Sequence, residues 1–275
     1  MLTEVFEIKA EGSQPYARLC TYILDGSDEL YIKKRPLILM CPGGGYEFTS
    51  DREAEPLAMQ FLSMGFHAAV LRYSTAPAVY PTALLEAAQA MKLIHEYADE
   101  WKVDTERIVV QGCSAGGHLA ASLGVFWHEP WLAEKVGVKN EMLRPAAMLL
   151  CYPVITSGEY AHRGSFDALL KGQNTAELLE RVSLEKQVTE HTPKAFLWHT
   201  WTDESVPVEN SLLFVQALRK YRIPTEFHMY PVGGHGLSTC DMFSANAEGY
   251  GVQEECQSWL MLAKKWLEAL TEDRN

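Results

Sequence analysis

Gly112-Cys113-Ser114-Ala115-Gly116 sets a serine between two glycines, directly after the apolar run Arg107-Ile108-Val109-Val110-Gln111 and before Gly117-His118-Leu119-Ala120-Ala121, which opens a helix. A chain that passes from buried strand to helix in so few residues turns too tightly for side chains beside the serine. Both flanks must then be glycine, and the hydroxyl is left exposed. The stretch reads as a nucleophile elbow. A serine that merely caps a helix after a glycine-rich turn has the same local pattern. What separates the two is whether partners for a nucleophile occur elsewhere in the chain.

Outward from this turn, apolar runs alternate with helical periodicity. Strand-like runs occupy residues 37–41, 67–73, 107–111, 146–152, 195–199 and 225–230, after two amino-terminal runs at 5–10 and 16–24 that are expected to pair antiparallel. Leu84, Ala87, Ala88, Met91, Ile94 and Ala98 recur at helical spacing, as do Leu212, Leu213, Ala217 and Leu218. Val252, Cys256, Trp259, Leu260, Ala263, Trp266, Leu267 and Leu270 predict a last helix with one continuous core face. Strand alternating with helix predicts an α/β fold, a mostly parallel sheet of about eight strands with helices on both faces. Residues 126–145 and 155–193 show no sustained period and are expected to form cap insertions over a site. At 275 residues and 47% apolar, the chain suits one domain spanning 1–275.

Twenty-four basic against thirty-six acidic residues give a formal charge of −12, which repels phosphate backbones and anionic lipid surfaces. Nucleic acid and membrane are therefore excluded as expected partners, and a neutral or cationic small molecule is favoured. Met1-Leu2-Thr3-Glu4-Val5-Phe6-Glu7 carries neither a basic region nor an apolar stretch, so a cytoplasmic location is expected. Six cysteines without Cys-x-x-Cys spacing read as buried free thiols, and no metal site is expected.

A serine hydroxyl is a poor nucleophile at neutral pH. It needs an imidazole to take its proton and a buried carboxylate to hold that imidazole in the right tautomer. On a fold of this kind acid and histidine follow later strands, in the order serine, acid, histidine. Of nine histidines, only His199, His228 and His235 lie on or after the last two strand runs, and the first two sit within those runs. His235 remains, in Pro231-Val232-Gly233-Gly234-His235-Gly236, where glycines let the backbone bend sharply. Thr200-Trp201-Thr202-Asp203-Glu204 supplies the acid; Asp203 is preferred for its short, rigid side chain, over Glu204 and the more distant Asp241. Attack on a carbonyl also needs preorganised N–H donors. Gly44 and Gly45 of Cys41-Pro42-Gly43-Gly44-Gly45-Tyr46, with Ala115 at the helix start, are the expected oxyanion donors, since neither phosphate-binding glycine pattern is present.

With these motifs the chain resembles the α/β-hydrolase superfamily, close to the hormone-sensitive-lipase-like esterases and, within them, the bacterial carbohydrate acetylesterases of the acetyl xylan esterase kind. The resemblance runs over residues 36–240, through Pro42-Gly43-Gly44-Gly45, Ser50-Asp51-Arg52-Glu53-Ala54-Glu55-Pro56, Arg72-Tyr73-Ser74-Thr75-Ala76-Pro77, the Ser114 elbow, residues 199–211 and Gly234-His235-Gly236-Leu237. Pro42 stands where the lipase-like enzymes carry histidine, which points to the sugar-ester branch. The resemblance implies a serine esterase that deacetylates small acylated sugars or xylo-oligosaccharides, without metal or cofactor. Related esterases often dimerise, so a homodimer is the assembly it adds. Two other readings share the motifs: a peptidase or amidase with the same triad, and a ligand-binding module like the gibberellin receptors, which lose the histidine. On the substrate side, Trp127, Trp131, Tyr160, His162 and Trp201 are either sugar platforms or packing, and His118 either lines the pocket or satisfies a core hydrogen bond.

Overall fold

In the computed structural model, which describes residues 1–272, Leu2–Glu7 (β1) and Arg18–Ile23 (β2) pair antiparallel at one edge of a sheet. Arg35–Cys41 (β3), His67–Arg72 (β4), Val103–Cys113 (β5), Ala147–Cys151 (β6), Lys194–Thr200 (β7) and Thr225–Tyr230 (β8) complete it. The order is β1-β2-β4-β3-β5-β6-β7-β8, and every pairing from β4 onward is parallel. Parallel strands need crossovers, and the crossovers here carry Glu55–Ser63 (α1), Thr82–Glu96 (α2), Ala115–Phe126 (α3) and Glu209–Lys220 (α7). Between α3 and α7 lie the short helices Pro130–Val136 (α4), Arg163–Leu170 (α5) and Ala176–Arg181 (α6), and Ser258–Glu272 (α8) closes the chain.

Side chains of a strand alternate between faces, so a sheet covered on both sides reads as an unbroken apolar run. Leu37, Leu39 and Cys41 pack with α2, α3 and Phe214 of α7, while Ile38 and Met40 pack with Leu57 and Phe61 of α1 and Trp259 of α8. The same division holds in β7, with Ala195 and Leu197 on the first face and Phe196 and Trp198 on the second. The six cysteines are free thiols, five of them buried and Cys20 half-buried. Among the described residues, no helix is long and apolar enough to cross a membrane.

Three sequence expectations shift. The first strand is Leu2–Glu7 and not 5–10, because an edge strand is half solvated and has little apolar patterning; the buried Ile8 belongs to the turn after it, donating its N–H to Ala17. The last helix is not continuous from Val252. Glu254–Cys256 form a separate 3-10 turn, and α8 starts at Ser258, though both segments offer the same face to the sheet. Residues 126–145 do not cap the rim that carries Ser114. Its helix α4 packs on α2, and Trp127, Glu141 and Arg144 line a cavity of about 440 Å³ with Pro36, Arg107 and Lys194, where β3, β5 and β7 begin. Ser114 sits at the opposite end of β5.

The indole of Trp259 stacks on Trp198 at 5.2 Å between ring centres and donates Nε1–H to the carbonyl of Ser238. Trp259→Ala is expected to lower the free energy of unfolding by about 3–5 kcal/mol, read from urea titration. A loss under about 1 kcal/mol would mean that α8 is docked by other contacts.

Candidate active site

Because β3, β5, β7 and β8 run parallel, the loops that follow them leave from one rim. The loop after β5 is the Ser114 turn. Ser114 holds φ 54° and ψ −122°, a backbone region that side-chain-bearing residues rarely occupy. A Cβ on Gly112 would lie 2.1 Å from the carbonyl oxygen of Gly116, and one on Gly116 would lie 2.0 Å from that of Cys41. Glycine at both flanks is thus a steric requirement of the turn. The end of β6 and the loop after it brace the turn: Ser114 N–H donates to the Cys151 carbonyl at 3.0 Å, and Val154 N–H donates to the Ser114 carbonyl at 3.0 Å.

The loop after β8 brings His235 Nε2 to 2.7 Å from Ser114 Oγ, and its Nδ1 lies 2.6 Å from Asp203 Oδ2 in the loop after β7. Gly233 (φ 137°) and Gly236 (φ 70°) supply the bends. Thr200 and Thr202 donate their hydroxyls to the Gly233 carbonyl, and Tyr250 donates its own to the His235 carbonyl at 2.6 Å. Tyr152 sets its ring edge against the imidazole, 5.2 Å between centres.

Asp203 is buried, and its Oδ1 accepts from the N–H groups of Ser205 and Val206 at 3.0 and 2.9 Å. Burial opposes its ionisation, yet hydrogen bonds from His199, His235 and Val206 hold the carboxyl well below the usual carboxylate range. His199 Nε2 lies 3.3 Å from Oδ2, so two imidazoles flank this carboxylate. Glu204 is exposed, and Asp241 turns inward to accept from Thr239 Oγ1 and Phe243 N–H. Neither meets His235.

The loop after β3 is held on several sides. Tyr73 donates its hydroxyl to the Pro42 carbonyl at 2.7 Å, Gly43 N–H donates to Glu53 Oε2 at 2.8 Å, and Ser50 N–H donates to the Gly43 carbonyl at 2.8 Å. Gly44 (φ 129°) has no room for a side chain, since a Cβ would fall 2.2 Å from the Phe48 carbonyl oxygen. Among the described residues, no group accepts a hydrogen bond from the N–H of Gly44, Gly45 or Ala115. These three N–H groups are donors left unengaged in the loop after β3 and at the start of α3.

The substrate-side candidates divide by position. His118 is buried with both nitrogens engaged, Nδ1 with the Tyr46 hydroxyl and Nε2 with the Val182 carbonyl, each at 2.8 Å, so it ties the glycine loop to the segment before β7 and offers a substrate nothing. Trp127 caps the end of α3, about 20 Å from Ser114 at 1.5 Å per residue, and donates Nε1–H to the His191 carbonyl. The expectation that it contacts substrate fails because a helix after a parallel strand carries its far end away from the rim. Trp131 is equally remote, on α4, bonded to Glu129. On the rim are Trp201, exposed two residues before Asp203, and His162, whose Nδ1 meets Ser165 Oγ at 2.8 Å. Burial, and then the nearness of His235, hold His162 below the ordinary imidazole range. Tyr160 is also partly exposed, its carbonyl accepting from Asn210. Sequence reasoning missed Glu53, Tyr152, Tyr250 and His199. The first lies in the quoted segment Ser50-Asp51-Arg52-Glu53-Ala54-Glu55-Pro56, the available signal. Among the described residues, no three His, Cys, Asp or Glu side chains converge to hold a metal ion.

An eight-stranded, mainly parallel sheet with a serine elbow after β5 and acid and histidine loops after β7 and β8 is the α/β-hydrolase fold. Residues 29–218 match the family model BD-FAE, and the chain belongs to that family. It is similar to the acetyl ester-xyloside bifunctional hydrolase of Caldicellulosiruptor lactoaceticus, at 38% identity and a TM-score of 0.80 over 94% of this chain and 90% of that one. It is also 38% identical over 217 residues to endo-1,4-beta-xylanase B of Butyrivibrio fibrisolvens, covering 76% of this chain and 33% of that protein. With an acetylxylan esterase of Xylanibacter ruminicola it shares 26% over 206 residues, 73% of this chain and 40% of the relative. The chain thus spans a third to two fifths of the length of these two curated relatives.

Burial lowers the His118 imidazole to about 4, while in an unfolded chain it titrates near 6.5. Below pH 6.5 the unfolded chain takes up a proton that the folded one refuses, so stability falls as pH drops from about 6.5 to about 4. The loss from this residue approaches about 3 kcal/mol. Urea midpoints measured across that range should fall, and His118→Gln should flatten the slope; an unchanged slope would contradict the assignment.

Proposed function

We propose that this chain is a serine ester hydrolase that removes acetyl groups from small acetylated sugars or xylo-oligosaccharides. The observation that carries the reading is the unbroken line from Asp203 through His235 to Ser114, with hydrogen-bond lengths of 2.6 and 2.7 Å. Similarity to an acetyl ester-xyloside hydrolase supports the acetylated sugar as substrate.

In this scheme Ser114 Oγ attacks the ester carbonyl carbon while its proton passes to His235 Nε2. The carbonyl electron pair moves onto oxygen, and the N–H groups of Gly44, Gly45 and Ala115 face that charge. Asp203 keeps Nδ1–H in place, so Nε2 is the nitrogen free to accept. Collapse breaks the bond to the sugar oxygen, which leaves with the proton from Nε2, and an acetyl-serine remains. Water, deprotonated by the same nitrogen, repeats the sequence and releases acetate. Trp201 is an exposed aromatic on this rim that a sugar ring could stack against. Free thiols fit a reducing compartment, and in a cytoplasm the substrates would be imported fragments.

Ser114→Ala is expected to cut kcat on p-nitrophenyl acetate by about 10⁴-fold or more, and Asp203→Asn by about 10³- to 10⁴-fold. Across a series of acyl esters, kcat/KM should be highest for acetyl and fall about tenfold or more by hexanoyl, with acetate released from acetylated xylo-oligosaccharides. Parent-like hydrolysis by Ser114→Ala would refute the reading. Preference for aminoacyl anilides would replace it with the peptidase.

A further inference from the structure

The segment Ser50-Asp51-Arg52-Glu53-Ala54-Glu55-Pro56 supplies none of the reacting groups, yet it touches two of the loops that do. Glu53 is a carboxylate with 4% of its surface exposed. Its Oε2 accepts from Gly43 N–H at 2.8 Å, and its Oε1 accepts from the Tyr152 hydroxyl at 2.7 Å. Tyr152 Oη in turn accepts from Ser238 N–H at 2.9 Å, three residues past His235. One carboxylate therefore joins the loop before the free donors of Gly44 and Gly45 to the loop that carries the imidazole.

Its neighbours complete the clasp. The Arg52 carbonyl accepts from Ser238 Oγ at 2.7 Å, while the Arg52 guanidinium donates Nε–H to the Ser244 carbonyl at 2.6 Å and lies 5.8 Å from the ring centre of Tyr250. Tyr250 is the residue whose hydroxyl binds the His235 carbonyl. Both polar groups of the Gly43 backbone are consumed by this segment, the N–H by Glu53 and the carbonyl by Ser50. Gly43 itself lies against the nucleophile, where a Cβ would come within 2.9 Å of Ser114 Cβ and 2.6 Å of Glu53 Oε2. A carboxylate taken out of water keeps its place only where donors answer it, which fixes the geometry of both donors as well.

We propose that Glu53 is a positioning residue for this reaction: through Gly43 and Tyr152 it holds the oxyanion donors and the histidine loop in one register about Ser114. The proposal rests on the esterase reading. Glutamine offers one acceptor where glutamate offers two, so Glu53→Gln can serve Gly43 N–H only by turning its own N–H toward Tyr152 Oη, which strands the tyrosine proton.

Kinetics on p-nitrophenyl acetate with the parent, Ser114→Ala, Glu53→Gln, Tyr152→Phe and the double variant test this. Glu53→Gln is expected to lower kcat about tenfold to a hundredfold with KM within about twofold, since small displacements of reacting groups act on the transition state. Affinity for a boronic acid, which forms a tetrahedral adduct with the serine, should fall in step with kcat. Tyr152→Phe should give a smaller loss, and the double variant no more than Glu53→Gln alone, because both act through one chain of bonds. Parent-like kcat in Glu53→Gln, a loss confined to KM, or additive losses would overturn the proposal while leaving the esterase reading intact. If Glu53→Gln does not fold, as judged by circular dichroism, Tyr152→Phe decides: parent-like kcat and boronate affinity overturn the proposal. A parent without ester hydrolysis, or a fully active Ser114→Ala, would bring down the reading itself.

Discussion

The site depends on a turn in which three chain segments meet with no space for a methyl group. At Gly112 and Gly116 the atoms that would collide with a side chain are backbone carbonyls, of the turn itself and of β3, so no rotamer change elsewhere could relieve the clash. That contact pins the start of α3 against the end of β3. It also forces Ser114 into its strained conformation and thereby lifts the hydroxyl off the sheet. Strain at the serine is sustained by Cys151 at the end of β6 and Val154 in the loop after it, which hold its amide and carbonyl.

Around this fixed point the two buried carboxylates are each answered by hydrogen-bond donors. Asp203 stays ionised while buried because it collects backbone N–H groups on one oxygen and imidazoles on the other. The cost of desolvating a carboxylate is offset there by three hydrogen-bond donors and by the His199 imidazole at 3.3 Å, and the geometry of His235 follows from theirs. Glu53, in the segment after β3, repeats the device with only two donors. The loops the two acids hold are the ones whose reacting groups must agree to within a fraction of an ångström.

Much of this was legible in the sequence because the reacting residues announce themselves by local geometry. Ser114 needs its glycines, His235 needs a flexible loop, and Asp203 needs to follow a strand; parallel strands then bring all three to one rim without further information. Strand alternation was equally plain, since a sheet covered on both faces leaves apolar runs. What stayed hidden depends on packing between segments far apart in the chain. Glu53 and Tyr152 are separated by 99 positions, and nothing in either neighbourhood signals the other. One turn past the nucleophile, His118 reads from sequence either as a pocket residue or as a core hydrogen bonder, and only Tyr46 and Val182, from two remote segments, decide for the second by closing on both nitrogens. Trp127 and the stretch after it lacked periodicity for the reason given to caps, yet the direction of α3 carries them to the other end of the sheet.

Helix α3 has a consequence beyond its packing. Its peptide dipoles add along twelve residues, leaving about half a positive charge at the amino end, where the amides of its first turn surround the serine. Negative charge arising there meets a field already in place, with no cation recruited and no group required to reorient. At the opposite pole the Trp127 carbonyl accepts from Asn140 Nδ2. A single rod of backbone thus has its positive extremity at the nucleophile, polarised for anion stabilisation.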